Sequence, residues 1–178
     1  MTTGILIAGF GGQGVQFSGK QIAKTGMYEG KQVSFLSSYG PEMRGGTSNC
    51  SVIISDEEIG SPLVTTPDVL IAFNIASYDK FESKIKAGGI LFADSTLIAK
   101  KSEREDITAY YIPATGLANE NGLTGFANVI MLGYVMAVTG LFSYETFLGH
   151  MVESIPESKA ALIEKNKKAL EIGFNYKA

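Results

Sequence analysis

Apolar residues gather into short unbroken runs separated by stretches of longer period. Ile5, Leu6, Ile7 and Ala8 form the first run, Val69, Leu70, Ile71, Ala72 and Phe73 a second, and Ile90, Leu91, Phe92 and Ala93 a third. Runs of this length bounded by Gly or Pro suit strands covered on both faces, so strands are expected over 4–9, 69–73 and 90–93. Pro67 and Asp68 announce the second run, and Gly88 and Gly89 the third. Further strands are read at 33–36, at the β-branched 47–55, which closes on an acidic turn at 56–58, and at 110–112 before Pro113. After Gly14 the pattern changes: Val15, Ile22, Ala23 and Met27 recur near helical spacing until Gly30. A second helix is expected over 75–86. Most of the chain beyond Pro113 reads as helical, ending in a helix over 157–170 with a Lys-rich polar face. Strand alternating with helix predicts a Rossmann-like α/β fold, a mostly parallel sheet with helices on both faces and a helical C-terminal part. With 178 residues, 45% of them hydrophobic, one sizeable core and a single domain over 1–178 are expected.

Residues 121–144 carry no charge, a length that raises the question of a membrane span. Asn121, Gly122, Thr124, Gly125 and Asn128 interrupt its beginning, and the flanking charges, Glu120 and Glu145, are acidic where basic anchors would be needed. A buried helix is expected instead. Gly133, Ala137 and Gly140 recur on it at spacings of four and three, a face that another helix or chain could approach closely.

Charge and cysteine content narrow the chemistry. A formal charge of -3 gives no general attraction to nucleic acid or to anionic lipid, so an anion site would have to be local. One cysteine, Cys50, cannot hold an iron–sulfur cluster, a cysteine zinc site or an internal disulfide, and reads as a small buried apolar residue. No basic segment precedes the apolar run at 5–10, and the run is too short for a secretory signal, so a cytoplasmic location is the expectation.

Directly after the first strand, "GFGGQGVQFSGK" places G-x-G-x-x-G at Gly9, Gly11 and Gly14. Glycines at these positions allow a tight turn, close approach of a pyrophosphate and helix packing, with backbone amides aimed at an anion. A dinucleotide site also expects an acidic residue at the end of the second strand, but Ser37, Ser38 and Tyr39 stand there, and Glu29 precedes that strand. A Walker loop fails too, because Gly14 is followed by Val15 and Gln16 in place of a Lys and a Ser or Thr. What remains is a helix N-terminus at Gly11, Gly12, Gln13 and Gly14 that is either phosphate-capable or simply a close-packed turn.

A second loop, "SSYGPEMRGGTSNC", is stiffened by Pro41 and loosened by Gly40, Gly45 and Gly46. It presents Arg44, the one Arg in the first hundred residues, whose planar guanidinium suits a phosphate, a carboxylate or a partner's acidic group; a local ion pair with Glu42 is the plainer alternative. Loops at the carboxyl ends of neighbouring strands share one surface, so residues 11–14 and 39–46 are expected together. No catalytic or metal constellation emerges. The one histidine, His150, has no sequence-local partner and reads as a surface or helix-packing residue, and Asp94, Ser95 and Thr96 read equally as a turn or cap and as a ligand contact.

"GFGGQG", "SYGPEMRGGTSNCSVIIS", "PDVLIAFN", "GGILFADST" and "NVIMLG", in this order and spacing, closely resemble the gamma subunit of 2-oxoacid:ferredoxin oxidoreductases of the 2-oxoglutarate and 2-ketoisovalerate types. The resemblance covers essentially the whole chain. It implies one component of a multi-subunit enzyme that decarboxylates a 2-oxoacid on thiamine diphosphate, passes electrons through iron–sulfur clusters to ferredoxin and releases the acyl group on coenzyme A. By the same resemblance the thiamine diphosphate, Mg²⁺ and clusters belong to partner chains: alpha and beta subunits, with a ferredoxin-like delta subunit as a further candidate. No cofactor is then held by this chain alone, and no activity is expected of it in isolation, where a homo-oligomer is an option. A coenzyme A contact through Gly11, Gly12, Gln13, Gly14 and Arg44 is the expected role of the two loops. Two alternatives stand beside it: a purely docking subunit of the same complex, and a subunit of an indolepyruvate-type oxidoreductase, ranked lower because of the PEMRGG loop.

Overall fold

The computed structural model describes residues 1–39 and 47–178. Six strands form one sheet: β1 (Thr2–Phe10), β2 (Gln32–Tyr39), β3 (Thr47–Ser55), β4 (Val69–Ala72), β5 (Ile90–Asp94) and β6 (Thr108–Ile112), in the spatial order β2-β3-β1-β4-β5-β6. β1, β4, β5 and β6 are parallel neighbours, and β3 runs against both β1 and β2. The mostly parallel expectation therefore holds with one reversed strand. Too few residues separate β2 from β3 for a crossover helix, so the pair can only form a hairpin.

The unbroken apolar runs divide by the strand period of two. Ile5, Ile7, Val69, Ile71 and Phe92 point to one face with Cys50, Val52 and Ile54, while Leu6, Ala8, Leu70, Ala72, Leu91 and Ala93 point to the other. The first face is covered by α1 (Val15–Tyr28), α3 (Ala114–Glu120), α4 (Ala127–Thr139), α5 (Tyr144–Glu153) and α6 (Leu162–Phe174). The second is covered by α2 (Ile75–Phe81) and the 3-10 turn after it, through Tyr78, Phe81 and Ile85. The helix expected over 75–86 thus stops early, and the last helix begins later and runs further than 157–170.

The uncharged stretch folds as α4, 13 residues long and buried through Met136. At 1.5 Å per residue it spans about 20 Å, well short of a bilayer's apolar core. Among the described residues no helix is long and apolar enough to cross a membrane. Of the three small residues expected to make a close-approach face, only Gly133 does so, and its neighbour is this chain's own α6. A Cβ at Gly133 would collide with the Leu170 carbonyl, and one at Gly173 with that of Ile130. Ala137 is exposed, and Gly140 ends the helix in the left-handed region at φ 62°. The spacing was right for one contact only: Ala137, a turn further on and still in the helix, faces away from α6, and Gly140 lies past the helix end.

Candidate functional site

Past Phe10 the chain turns through Gly11, Gly12 and Gln13, and the Gln13 N–H closes the turn on the Phe10 carbonyl at 3.2 Å. The Gln13 side chain reaches further. Its Oε1 accepts from the Phe10 N–H at 2.7 Å and from Asn74 Nδ2 at 3.4 Å, and its Nε2 donates to the Phe73 carbonyl at 3.2 Å. Since Phe73 and Asn74 follow β4, one glutamine staples the carboxyl ends of β1 and β4. Those ends form the switch point of the sheet, where α1 leaves on one face and α2 on the other. Open α/β sheets take ligands in that crevice; here Gln13 occupies it, and Asn74 also caps α2 by accepting from Ser77 N–H at 2.8 Å.

The glycines of the turn have different causes. Gly9 is packed under Gln13 and Phe73, where a Cβ would lie 3.0 Å from the Phe73 Cβ. Gly12 and Gly14 have φ of 96° and 77°, and a Cβ at Gly14 would lie 2.5 Å from Asn128 Cγ. Gly11 has neither cause: its φ is not positive and a Cβ there would meet nothing within 4 Å. The fold requires glycine at 9, 12 and 14, whereas at 11 it leaves the backbone bare to whatever approaches from outside.

α1 starts at this turn with Gly14 as its N-cap, no side-chain cap and no acidic residue in its first turn. α4 starts beside it, likewise uncapped and without an acid in its first turn. Asn128 belongs to that first turn and lies across Gly14, so two helix N-termini meet at one contact. On either side lies a cleft. One, about 330 Å³, is lined by Gly12, Gln13, Thr115, Asn119 and Asn128; the other, about 370 Å³, by Gly12, Gly14, Phe17, Asn128, Pro156 and Lys159. Backbone donors and positive helix ends converging there favour a negatively charged group.

The N-terminus of α3 is nearby but already satisfied. Asp94, fully buried at the end of β5, accepts from Thr96 N–H at 3.1 Å, Thr115 N–H at 3.2 Å and Thr115 Oγ1 at 2.6 Å. It serves as a turn and cap residue, which decides between the two readings of Asp94 and Thr96.

Arg44 lies outside the described residues, as do Pro41 and Glu42. Their tethers do not. Thr47 pairs with Phe10 across β1 and β3, and Tyr39 pairs with Ser48, which faces Gly9. The segment holding Arg44 is therefore fastened at both ends to the edge that carries the glycine turn. Gln16, in the first turn of α1, ties to the same edge, donating to Ser48 Oγ at 3.1 Å and the Asn49 carbonyl at 2.9 Å.

Other singled-out residues are structural. Cys50 is sealed beneath α1 with its Sγ 3.5 Å from the Val15 carbonyl, and burial pushes its thiol up to about 12. His150 stacks on Tyr28 with ring centres 4.8 Å apart and meets Glu29 at 3.3 Å, joining α5 to the end of α1. Another cavity, about 450 Å³, sits at the opposite ends of the strands, but its rim charges are spent on one another: Asp68 on Lys86 at 3.2 Å, Asp56 on Lys31 and the N-terminus. Asn74 and Asn128 were not found from sequence. Asn74 stands where the apolar run of β4 gives way to α2, and Asn128 in the first turn of α4 where an apolar run begins, positions that mark a cap or turn without saying what the side chain meets.

A family model described as pyruvate ferredoxin/flavodoxin oxidoreductase matches residues 4–176. The ketoisovalerate oxidoreductase subunit VorA of Methanothermobacter marburgensis is 44% identical over 174 residues, covering 97% of this chain and 36% of that protein, so the chain spans about a third of this relative's length. The crystal structure of a keto/oxoacid ferredoxin oxidoreductase gamma subunit from Geobacter sulfurreducens is 33% identical, with a TM-score of 0.85 over 98% of this chain and 95% of that one. A 2-oxoglutarate:ferredoxin oxidoreductase from Magnetococcus marinus, solved with 2-oxoglutarate, coenzyme A and succinyl-CoA bound, is 26% identical, with a TM-score of 0.88 over 97% of this chain and 30% of that one.

Proposed function

Because the chain belongs to the pyruvate ferredoxin/flavodoxin oxidoreductase family, we propose that it is the gamma component of a multi-subunit 2-oxoacid:ferredoxin oxidoreductase. Its complex oxidatively decarboxylates 2-oxoglutarate or a branched-chain 2-oxoacid to the acyl-CoA and reduces ferredoxin. The observation that carries this reading is the end-to-end match to a solved gamma subunit. Alpha and beta subunits, joined in some assemblies by a ferredoxin-like delta subunit, supply thiamine diphosphate, Mg²⁺ and the iron–sulfur clusters. The one cysteine of this chain, buried Cys50, is in keeping with that division.

Within the complex the chain contributes a coenzyme A contact. The bare Gly11 backbone, the φ of Gly12, the open first turn of α1 at Gly14 and the nearby tethers of the Arg44 segment support it. Gln13 enters this role indirectly, holding the turn in shape while its own polar atoms stay inside the chain. A docking role without ligand contact is the second reading, and the stapled switch point favours it. The test is to copurify the chain with its partners and to assay ferredoxin reduction with and without it. Loss of coenzyme A-dependent turnover on omission is expected; full turnover without the chain would refute the proposal. Heating the isolated chain with millimolar coenzyme A separates the two readings, since a ligand of the native state raises its melting temperature.

A further inference from the structure

We propose that the free edge of β2 is a self-association surface, on which a second copy of this chain adds its own β2 antiparallel and joins two six-stranded sheets into one. The proposal is independent of the coenzyme A reading. β2 is bonded to β3 on one side and ends the strand order on the other. Its outward N–H and C=O groups have no backbone partner among the described residues. Sheet edges are ordinarily guarded against pairing by shortness, charge, proline or a bulge. This edge has none of the four: its eight residues, QVSFLSSY, hold no charge and no proline, and they pair one to one with β3 from Gln32 and Ser55 to Tyr39 and Ser48. The opposite edge differs. β6 has five residues, and its Tyr111 is tied down by the Ser102 N–H, which donates to the hydroxyl at 2.7 Å, and by Lys101, 3.5 Å from the ring centre.

The occupant follows from the chemistry of the edge. A charged strand would find nothing on residues 32–39 to answer its charge, and the nearest cation, Lys31, is already paired with Asp56. A neutral strand fits, and β2 is itself one. The register follows from the faces. Val33 and Phe35 pack against the core beneath α1, whereas Leu36, on the other face, is 38% exposed beside Leu63, 61% exposed, at a cavity of about 470 Å³. A two-fold axis normal to the sheet keeps like faces level, so it passes between a residue and its own copy. At Leu36 it sets the two Leu36 side chains about 5 Å apart, where each covers the other, and opposes Ser34 to Ser38 of the second copy. A self-complementary edge present once per chain closes at two copies. Antiparallel pairing also sends the two glycine turns to opposite ends of the joined sheet, leaving both free for other contacts.

Sedimentation velocity of the full chain over a concentration series, with hydrogen exchange at β2, tests this. A dimer is expected at high concentration, with β2 amides exchanging more slowly as it forms. Leu36→Lys and Leu36→Glu, at an exposed position, should leave the melting temperature at low concentration unchanged and weaken dimerisation roughly tenfold or more, because like charges then meet at the axis. Mixing the two variants should restore the dimer, since Lys then faces Glu, a rescue that requires position 36 to oppose its own copy. A chain that stays monomeric at every concentration overturns the proposal, as does a dimer indifferent to Leu36→Lys or not rescued by mixing. Leu36→Lys that abolishes binding to the other subunits of the complex, while the wild-type chain alone stays monomeric, assigns the edge to another chain's strand and overturns it too.

Discussion

Gly133 of α4 and Gly173 of α6 stand against each other's helix backbone, so that a methyl group on either would strike a carbonyl of the other helix. The missing side chains set the separation of the two helices, and the obstacle is backbone, which cannot swing aside. Gly173→Ala should therefore sit at the upper end of overpacking costs, about 1–3 kcal/mol, lowering the melting temperature by roughly 6–12 °C. Thermal unfolding by circular dichroism measures it. An unchanged melting temperature combined with lost partner binding would return this face to an intersubunit role.

Gln13 holds β1 to β4 through three side-chain hydrogen bonds. Gln13→Ala should free the Phe10 amide and raise its hydrogen-exchange rate about ten- to a hundredfold, in line with losing roughly 1.4–2.8 kcal/mol of local stability. The exchange of β6 amides, remote from the staple, should be unaffected. Unaltered Phe10 exchange would mean that the turn holds itself.

Cys50 has a folded-state pKa near 12, against about 8.5 for an unfolded thiol. Raised by burial, it contributes stability that is complete below about pH 8.5 and declines as pH rises toward 12, by up to roughly 1.4 kcal/mol per unit. Urea midpoints between pH 8 and 10 should fall more steeply for the wild-type chain than for Cys50→Ala. In the same range a thiol reagent should label Cys50 only on unfolding. Rapid labelling of the native chain would contradict its burial.

Arg44→Ala, assayed in the assembled oxidoreductase, should raise the Michaelis constant for coenzyme A roughly ten- to a hundredfold and leave that for the 2-oxoacid nearly unchanged. Size-exclusion chromatography should show the complex at normal size. Loss of assembly would favour the docking reading, and normal kinetics in an intact complex would remove Arg44 from both.

The strand cores were legible because a run such as Ile5 to Ala8 is apolar on both alternating faces, which only a two-sided burial explains. The hairpin reversal of β3 was less visible, since β-branched content reports a strand and not its direction. Gly133 could be marked as a close-approach residue, but its partner Gly173 lies forty positions away and nothing local connects them. At the site, the glycine turn declared itself by spacing. The bonds by which Gln13 joins β1 to β4 could not be read from its place in the glycine turn, nor the contact of Asn128 with Gly14 from its place at the start of an uncharged stretch, because where a polar side chain is spent depends on tertiary neighbours.

The sheet is insulated unequally. Five helices blanket one face, and on the other a single helix of seven residues and the turn after it lie over β1, β4 and β5, leaving Leu36 on β2 38% exposed. Heat or denaturant should therefore not loosen the molecule evenly. The thin side has fewer layers to part before water reaches the strands, so α2 should be the first element to shed its amide protection, while α4, wrapped by α3, α6 and the sheet, should yield only with the whole chain. The molecule would then have a rigid back, where the glycine turn is anchored to α4, and a compliant front.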